Sequence, residues 1–249
     1  MKRLSFLIAV FVTASAFAQA QTAAPVAPPP AAGIASLPSL GKVNPDFSGV
    51  WTGVGAGQTS SGLKNTPWPT DPGFTPQGTT RFSAIDKTKD PVATRCLPPG
   101  VARFMSADSQ SPIEIIQVGQ SLTILSGKTY QARRIYWDGR GRLGLYDYWT
   151  PTFTGHSIAR WEGDTLVVET ERLNDKVWLS DTGLPQTAQL RITERIRRIE
   201  DGKILHDRMT FEDPTLYTKP IVMDRYWQWT TNAEIAEPSY ACQEKRGKS

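Results

Sequence analysis

The stretch Gly155 to Thr170, GHSIARWEGDTLVVET, decides how this chain is read. It holds two apolar-rich runs on either side of Glu162-Gly163-Asp164. Short runs of alternating polarity flanking a Gly-Asp pair predict a β-hairpin. With Gly163-Asp164 as the turn, Glu162 faces Thr165, Trp161 faces Leu166, Arg160 faces Val167 and Ala159 faces Val168. Side chains alternate between the faces of a strand. One face then carries Ser157, Ala159, Trp161, Leu166, Val168 and Thr170. The other carries His156, Ile158, Arg160, Val167, Glu169 and Glu171.

The opening Gly-His-Ser-Ile-Ala is one residue away from the G-x-S-x-G elbow of esterases. That elbow needs a strand-to-helix turn. Here a strand and a hairpin follow and the last glycine is absent, so Ser157 is not read as a nucleophile. The second face is the informative one. His156 sits opposite Glu171 and diagonal to Glu169, and Arg160 is also diagonal to Glu169. If this face lines a lumen, the carboxylates hold His156 in one tautomer, and the group can move a proton. If it looks at solvent, the hairpin is scaffold.

The same pattern recurs outward along the chain. Strand-like runs are read at Phe47–Gly53, Pro112–Val118, Ser121–Ser126, Thr129–Asp138, Arg142–Trp149, His156–Trp161, Thr165–Glu171, Gln189–Ile199, Lys203–Glu212 and Ile221–Thr230. No window of a dozen residues carries a helical stripe. Gly-containing turns separate neighbours, which predicts a mostly antiparallel, all-β protein. About ten sequential strands predict an up-and-down, lipocalin-like barrel. Residues 54–111, rich in Pro and Gly, are expected to form a long covering loop over one end.

The second hairpin places charge among apolar residues. With Asp201-Gly202 as its turn, Glu194 and Asp207 share a face with Ile192, Ile196, Leu205, Met209 and Phe211. A carboxyl in such a place must find a partner or take a proton. Two acids in different settings mark general acid/base chemistry. They equally mark a buried ion pair with an arginine of a neighbouring strand. In Thr129–Asp138, Arg133 shares a face with Ile135 and Trp137, and Tyr136 lies on the other with Arg134 and Asp138. Arg133 is a partner for the inward acids or for a substrate carboxylate. Glu114, between isoleucines, is expected to point inward. His206 falls on the solvated face of its hairpin.

The ends bound the compartment. Lys2 and Arg3, the apolar run Leu4–Phe17 and Ala18-Gln19-Ala20 read as a signal peptide over residues 1–20. Residues 21–44, rich in Ala and Pro, read as a tether, and 45–249 as one β-barrel domain. The chain is therefore expected to be exported, periplasmic or secreted. Removing Lys2 and Arg3 lowers the formal charge of +4 by two. No run of five like charges exists, so no nucleic-acid or anionic-membrane partner is expected, nor an integral membrane segment in the mature chain. The sequence carries no signal of oligomeric state. The two cysteines, Cys96 and Cys242, are expected to pair in an oxidising compartment.

No Walker loop or dinucleotide fingerprint is present, and the two histidines lie outside H-E-x-x-H. No cofactor and no metal are expected. Aromatic residues such as Trp137, Tyr136 and Trp161 suit a small apolar or aromatic ligand. Two functions follow. One is a cofactor-independent lyase or isomerase, with His156 or Glu194 as acid/base beside Asp207 and Tyr136 as a donor. Arg133, Arg160, Glu169, Glu114 and Trp137 would contact substrate. The other is a non-catalytic carrier of a hydrophobic small molecule.

Several phrases occur together: Pro45-Asp-Phe-Ser-Gly-Val-Trp51, Arg95-Cys-Leu-Pro-Pro-Gly-Val101, Ile135-Tyr-Trp-Asp-Gly-Arg140, Gly155 to Val168, and Ile192-Thr-Glu-Arg195. In these the chain resembles a large family of exported, mostly uncharacterised bacterial proteins. The resemblance covers nearly all of the chain after the leader, and implies a lipocalin-like barrel and export. The family pattern carries Gly at the position of Ala159 and often His at those of Gln186 and Arg191. A histidine-based site in relatives would not be shared here. The resemblance implies no reaction.

Overall fold

The computed structural model describes residues 44–106, 112–126, 131–139 and 150–231. The expected signal peptide, the tether up to Val43, and the run Arg142–Trp149 lie outside the described residues. Nine strands form a closed barrel: β1 Gly49–Gly53, β2 Pro112–Val118, β3 Ser121–Ser126, β4 Ala132–Tyr136, β5 His156–Glu162, β6 Thr165–Glu171, β7 Arg191–Ile199, β8 Ile204–Glu212 and β9 Ile221–Thr230. Each pairs with the next in sequence, and β1 pairs with β9 to close the ring. Closure gives every described strand a partner on both sides.

The hairpin register read from the sequence is the register found. Glu162 faces Thr165, Trp161 faces Leu166 and His156 faces Glu171. Gly163 adopts φ 68°, the left-handed region that the turn requires. The β7–β8 register likewise sets Ile199 against Ile204, with Glu200 to Lys203 between them.

Two features differ from the expectation. β4 and β5 run parallel, paired at Ile135–Ser157 and Tyr136–Ile158. A parallel pair needs a connection of about a dozen residues or more, and residues 137–155 supply it. The expected covering loop also contains helices: α1 Pro76–Ser83, α2 Pro91–Arg95 and α3 Gly100–Phe104. α1 begins at Pro76, and Thr75 Oγ1 accepts from the Gly78 amide at 3.0 Å. α2 begins at Pro91, and Asp90 accepts from the Val92 amide at 3.0 Å. These caps start helices too short to show an apolar stripe. Val101, Ala102 and Phe104 of α3 join the core.

The core is the barrel interior. Trp51, Ile113, Ile124, Leu166, Met209, Phe211 and Trp227 are buried there. β1 is half the length of β9 and reaches it only from Trp227 to Thr230. A strap covers the rest of that edge. Val54 N donates to Tyr226 O at 3.2 Å, and Thr66 N to Asp224 O at 3.0 Å. Asp224 N donates to Thr66 Oγ1 at 3.0 Å, and Tyr226 N to Asn65 Oδ1 at 2.9 Å. Among the described residues, no helix is long and apolar enough to cross a membrane.

Candidate functional site

Alternation along β4 to β9 sends polar groups into the interior. Arg133, Ser157, Thr170, Glu194, Asp207 and Arg225 are all buried. Arg133 and Glu194 form a two-point ion pair, with Arg133 Nη1 donating to Glu194 Oε1 at 2.8 Å and Nη2 donating to Oε2. The Arg133 guanidinium also donates to Ser157 Oγ from Nε at 3.2 Å and to Thr170 Oγ1 at 2.8 Å. Ser157 and Thr170 hydroxyls bond each other at 2.9 Å. The planar fork of arginine suits this arrangement. Ser157 thus holds a guanidinium, which agrees with its exclusion as a nucleophile.

Asp207 lies two residue pairs along on the same face, where Ile196 faces Asp207 and Glu194 faces Met209. As a carboxylate it has no hydrogen-bond partner for either oxygen. Burial first, and then the charge of Glu194, push its pKa well above the usual carboxylate range, against the pull of Arg133 and Arg225. Asp207 therefore favours its neutral, protonated form, and as an acid it donates to Glu194. An acid beside a carboxylate in a water-excluded interior is a pair that can move one proton.

Of the other expected site residues, Trp137, just past β4, packs against the core, while Tyr136, His156, Arg160, Glu169 and Glu114 fall on the outer face. Arg160 and Glu169 pair there with both side chains more than half exposed. Arg160 also reaches Glu162 at 3.0 Å, and Glu162 accepts from Arg195 Nη1 at 2.9 Å. Those arginines lower the Glu162 pKa, with Arg195 the larger influence. His156 is buried, but its parity is that of Arg160. The sheet therefore separates His156 and Tyr136 from Glu194 and Asp207, and the four do not meet in one place. Glu114 also departs from expectation. Ile113 and Ile115 take the interior positions, which leaves Glu114 half-buried on the outer face with the exposed Ile116.

Four of the expected residues do meet at the seam between β4 and β5. β4 ends at Tyr136 while β5 continues to Glu162, and the parallel pair spans only two residue pairs. Beyond it a cavity of about 120 Å³ opens, lined by Tyr136, Trp137, Ile158, Ala159, Arg160 and Glu169. Trp137 packs edge-on against Trp161, with ring centroids 5.9 Å apart. Trp161 in turn lies against Phe47 at 5.4 Å. The cavity wall is thus braced by the core.

Sequence reasoning missed Arg225. Arg225 alternates with Met223 and Trp227 along β9, a pattern that marks it as inward. Trp68 is one of the aromatic residues expected to suit an apolar or aromatic ligand, but its place over Arg225 depends on the strap, which local pattern does not show. Cys96 ends α2 with φ 54° and is not a free thiol; Cys242, its expected partner, lies outside the described residues. Gln186 is buried and donates to Asn174 O at 2.6 Å, and Arg191 is exposed. Among the described residues, no cluster of three metal-ligating side chains occurs. Compared with models of known protein families and with curated proteins, the chain matches none.

Proposed function

We propose that the chain binds a small single-ring molecule at the β4–β5 seam. The observation that carries this reading is the cavity of about 120 Å³ with Tyr136 and Trp137 on one side and the Arg160–Glu169 pair on the other. A cavity of about 150 Å³ takes benzene; the seam, at about 120 Å³, is smaller, so it limits a ligand to a single ring at most. Arg160 and Glu169 carry opposite charges and together offer donors and an acceptor. A neutral hydroxyl can use both. A carboxylate would have to displace Glu169. A phenol is therefore favoured over an aromatic acid at the seam.

Calorimetric titration with phenol tests this. Arg160→Ala is expected to weaken phenol binding at least tenfold, and benzoate is expected to bind the native chain less well than phenol. Equal affinity for phenol in the native chain and the Arg160→Ala variant would remove the seam from consideration.

A second reading rests on the Asp207–Glu194 pair. In it the barrel is a cofactor-independent lyase or isomerase, with Asp207 as acid, Glu194 as base and Arg133 holding the pair in place. Mass analysis of products from lignin-derived phenols would show turnover that Asp207→Asn and Glu194→Gln abolish and Arg160→Ala leaves intact at saturating substrate. Export, membership of the family that the Gly155–Val168 phrase resembles, and the Cys96–Cys242 disulfide belong to the same proposal. They rest on the leader, the quoted phrases and the pair of cysteines. A non-reducing peptide map of secreted protein that lacked the cross-linked peptides would remove the disulfide.

A further inference from the structure

The strap over β9 meets the interior at Arg225. Thr66 O accepts from Arg225 Nη1, and the Trp68 ring lies over the same guanidinium with 5.6 Å to its centroid. Trp68 also packs on Phe211, with centroids 5.4 Å apart. Arg225 faces Asp207 across the β8–β9 register. Arg225 and Asp207 are both fully buried. Both Asp207 oxygens lack a partner as a carboxylate.

The strap thus presents an aromatic ring to Phe211 and a carbonyl oxygen to Arg225. An aromatic acid offers the same two groups in one molecule. Its ring can occupy the place of Trp68 on Phe211. Its carboxylate can accept from Arg225 in place of Thr66 O, and from the acid hydrogen of Asp207 once that hydrogen turns away from Glu194. A carboxylate is a stronger acceptor for guanidinium than a peptide carbonyl. The strap is held to β9 along this stretch by a few hydrogen bonds, two of which use side-chain atoms of Asn65 and Thr66. Local opening of such a segment costs far less than global unfolding.

We propose that Asn65–Trp68 is a built-in stand-in for a small aromatic carboxylate, and that such an acid binds behind the strap to Arg225, Asp207 and Phe211 by displacing it. This site is independent of the seam. It takes an acid, where the seam favours a phenol, and Arg160 has no part in it.

Hydrogen exchange of the native chain with and without benzoate tests the proposal, with benzyl alcohol as the neutral control. Benzoate is expected to speed exchange at the Thr66 and Tyr226 amides at least tenfold, and benzyl alcohol to leave both unchanged. Unchanged exchange at saturating benzoate would overturn it. In Trp68→Gly the competing ring is gone, so benzoate affinity is expected to rise at least tenfold and to fall again when Asp207→Ala is added. Benzyl alcohol binding Trp68→Gly as tightly as benzoate would reduce the site to a hole of suitable size and sink the carboxylate assignment. Loss of phenol binding in Arg160→Ala, with benzoate binding kept, separates this site from the seam.

Discussion

Asp207 departs far from the ordinary behaviour of a carboxyl group. The folded chain keeps its proton above the pH at which the unfolded chain releases it. Between those two pH values the unfolded state binds fewer protons, so stability falls as pH rises. The slope from this one group is at most about 1.4 kcal/mol per pH unit. The contribution is fully present below the ordinary carboxylate range and is lost upward from there. Asp207→Asn keeps the shape and removes the titration. Urea melts from pH 5 to pH 8 are expected to show a flatter stability profile in Asp207→Asn and higher stability than the native chain at pH 8. A slope that survives the substitution would belong to another group.

The neighbouring pair behaves differently. Glu194 and Arg133 are both buried and bonded at two points. Removing one partner leaves the other buried without its counter-charge, which costs roughly 3–5 kcal/mol. Glu194→Leu alone and Arg133→Met alone are expected to lose that much in denaturant melts. The double variant should recover most of the loss. Equal losses in the double and single variants would mean that the pair holds the barrel together in a way its replacement by apolar groups cannot match.

At the scale of elements, the β5–β6 hairpin shows how much was legible. The two-residue turn gave the register, and strand parity gave the sets of side chains that share a face. It also put Glu194 and Asp207 inward in the next hairpin and named Arg133 as a partner. It did not tell which face of Gly155–Thr170 looks inside. Both faces of that hairpin mix polar and apolar side chains, and Ser157 and Thr170 on the inner face are there to serve Arg133. The glycines of this hairpin divide by surroundings. A Cβ on Gly155 would lie 2.5 Å from Glu171 O at φ 61°, while one on Gly163 at φ 68° would meet nothing within 4 Å. Gly163→Ala is expected to cost about 1–2 kcal/mol from backbone conformation alone. Gly155→Ala is expected to cost clearly more, since the Glu171 carbonyl belongs to the paired strand. Thermal melts of the two variants check the order, and reversal would show that the start of β5 is free to shift.

At the scale of the whole molecule, the barrel closes with mismatched parts. β4 stops before β5, and β1 stops before β9. The first mismatch opens the seam cavity, and the second is covered by the strap. Neither was legible, because both depend on how far each strand runs relative to a neighbour distant in sequence. The parallel β4–β5 pair was hidden for the same reason: which strands become neighbours, and in which direction, is not set by any local pattern. The residues of the seam were nonetheless named. Tyr136, Trp137, Arg160 and Glu169 stood out as chemistry, although the expected lumen is not where they gather.

The seam is the central claim, and chemical-shift mapping of phenol on isotope-labelled protein tests it most directly. Saturable shifts are expected at the Trp137 indole N–H, the Gly139 amide and the Ile158 methyls, with the Arg225 side chain unmoved. Shifts confined to Trp68, Phe211 and Arg225, or no saturable shift at all, would contradict the account.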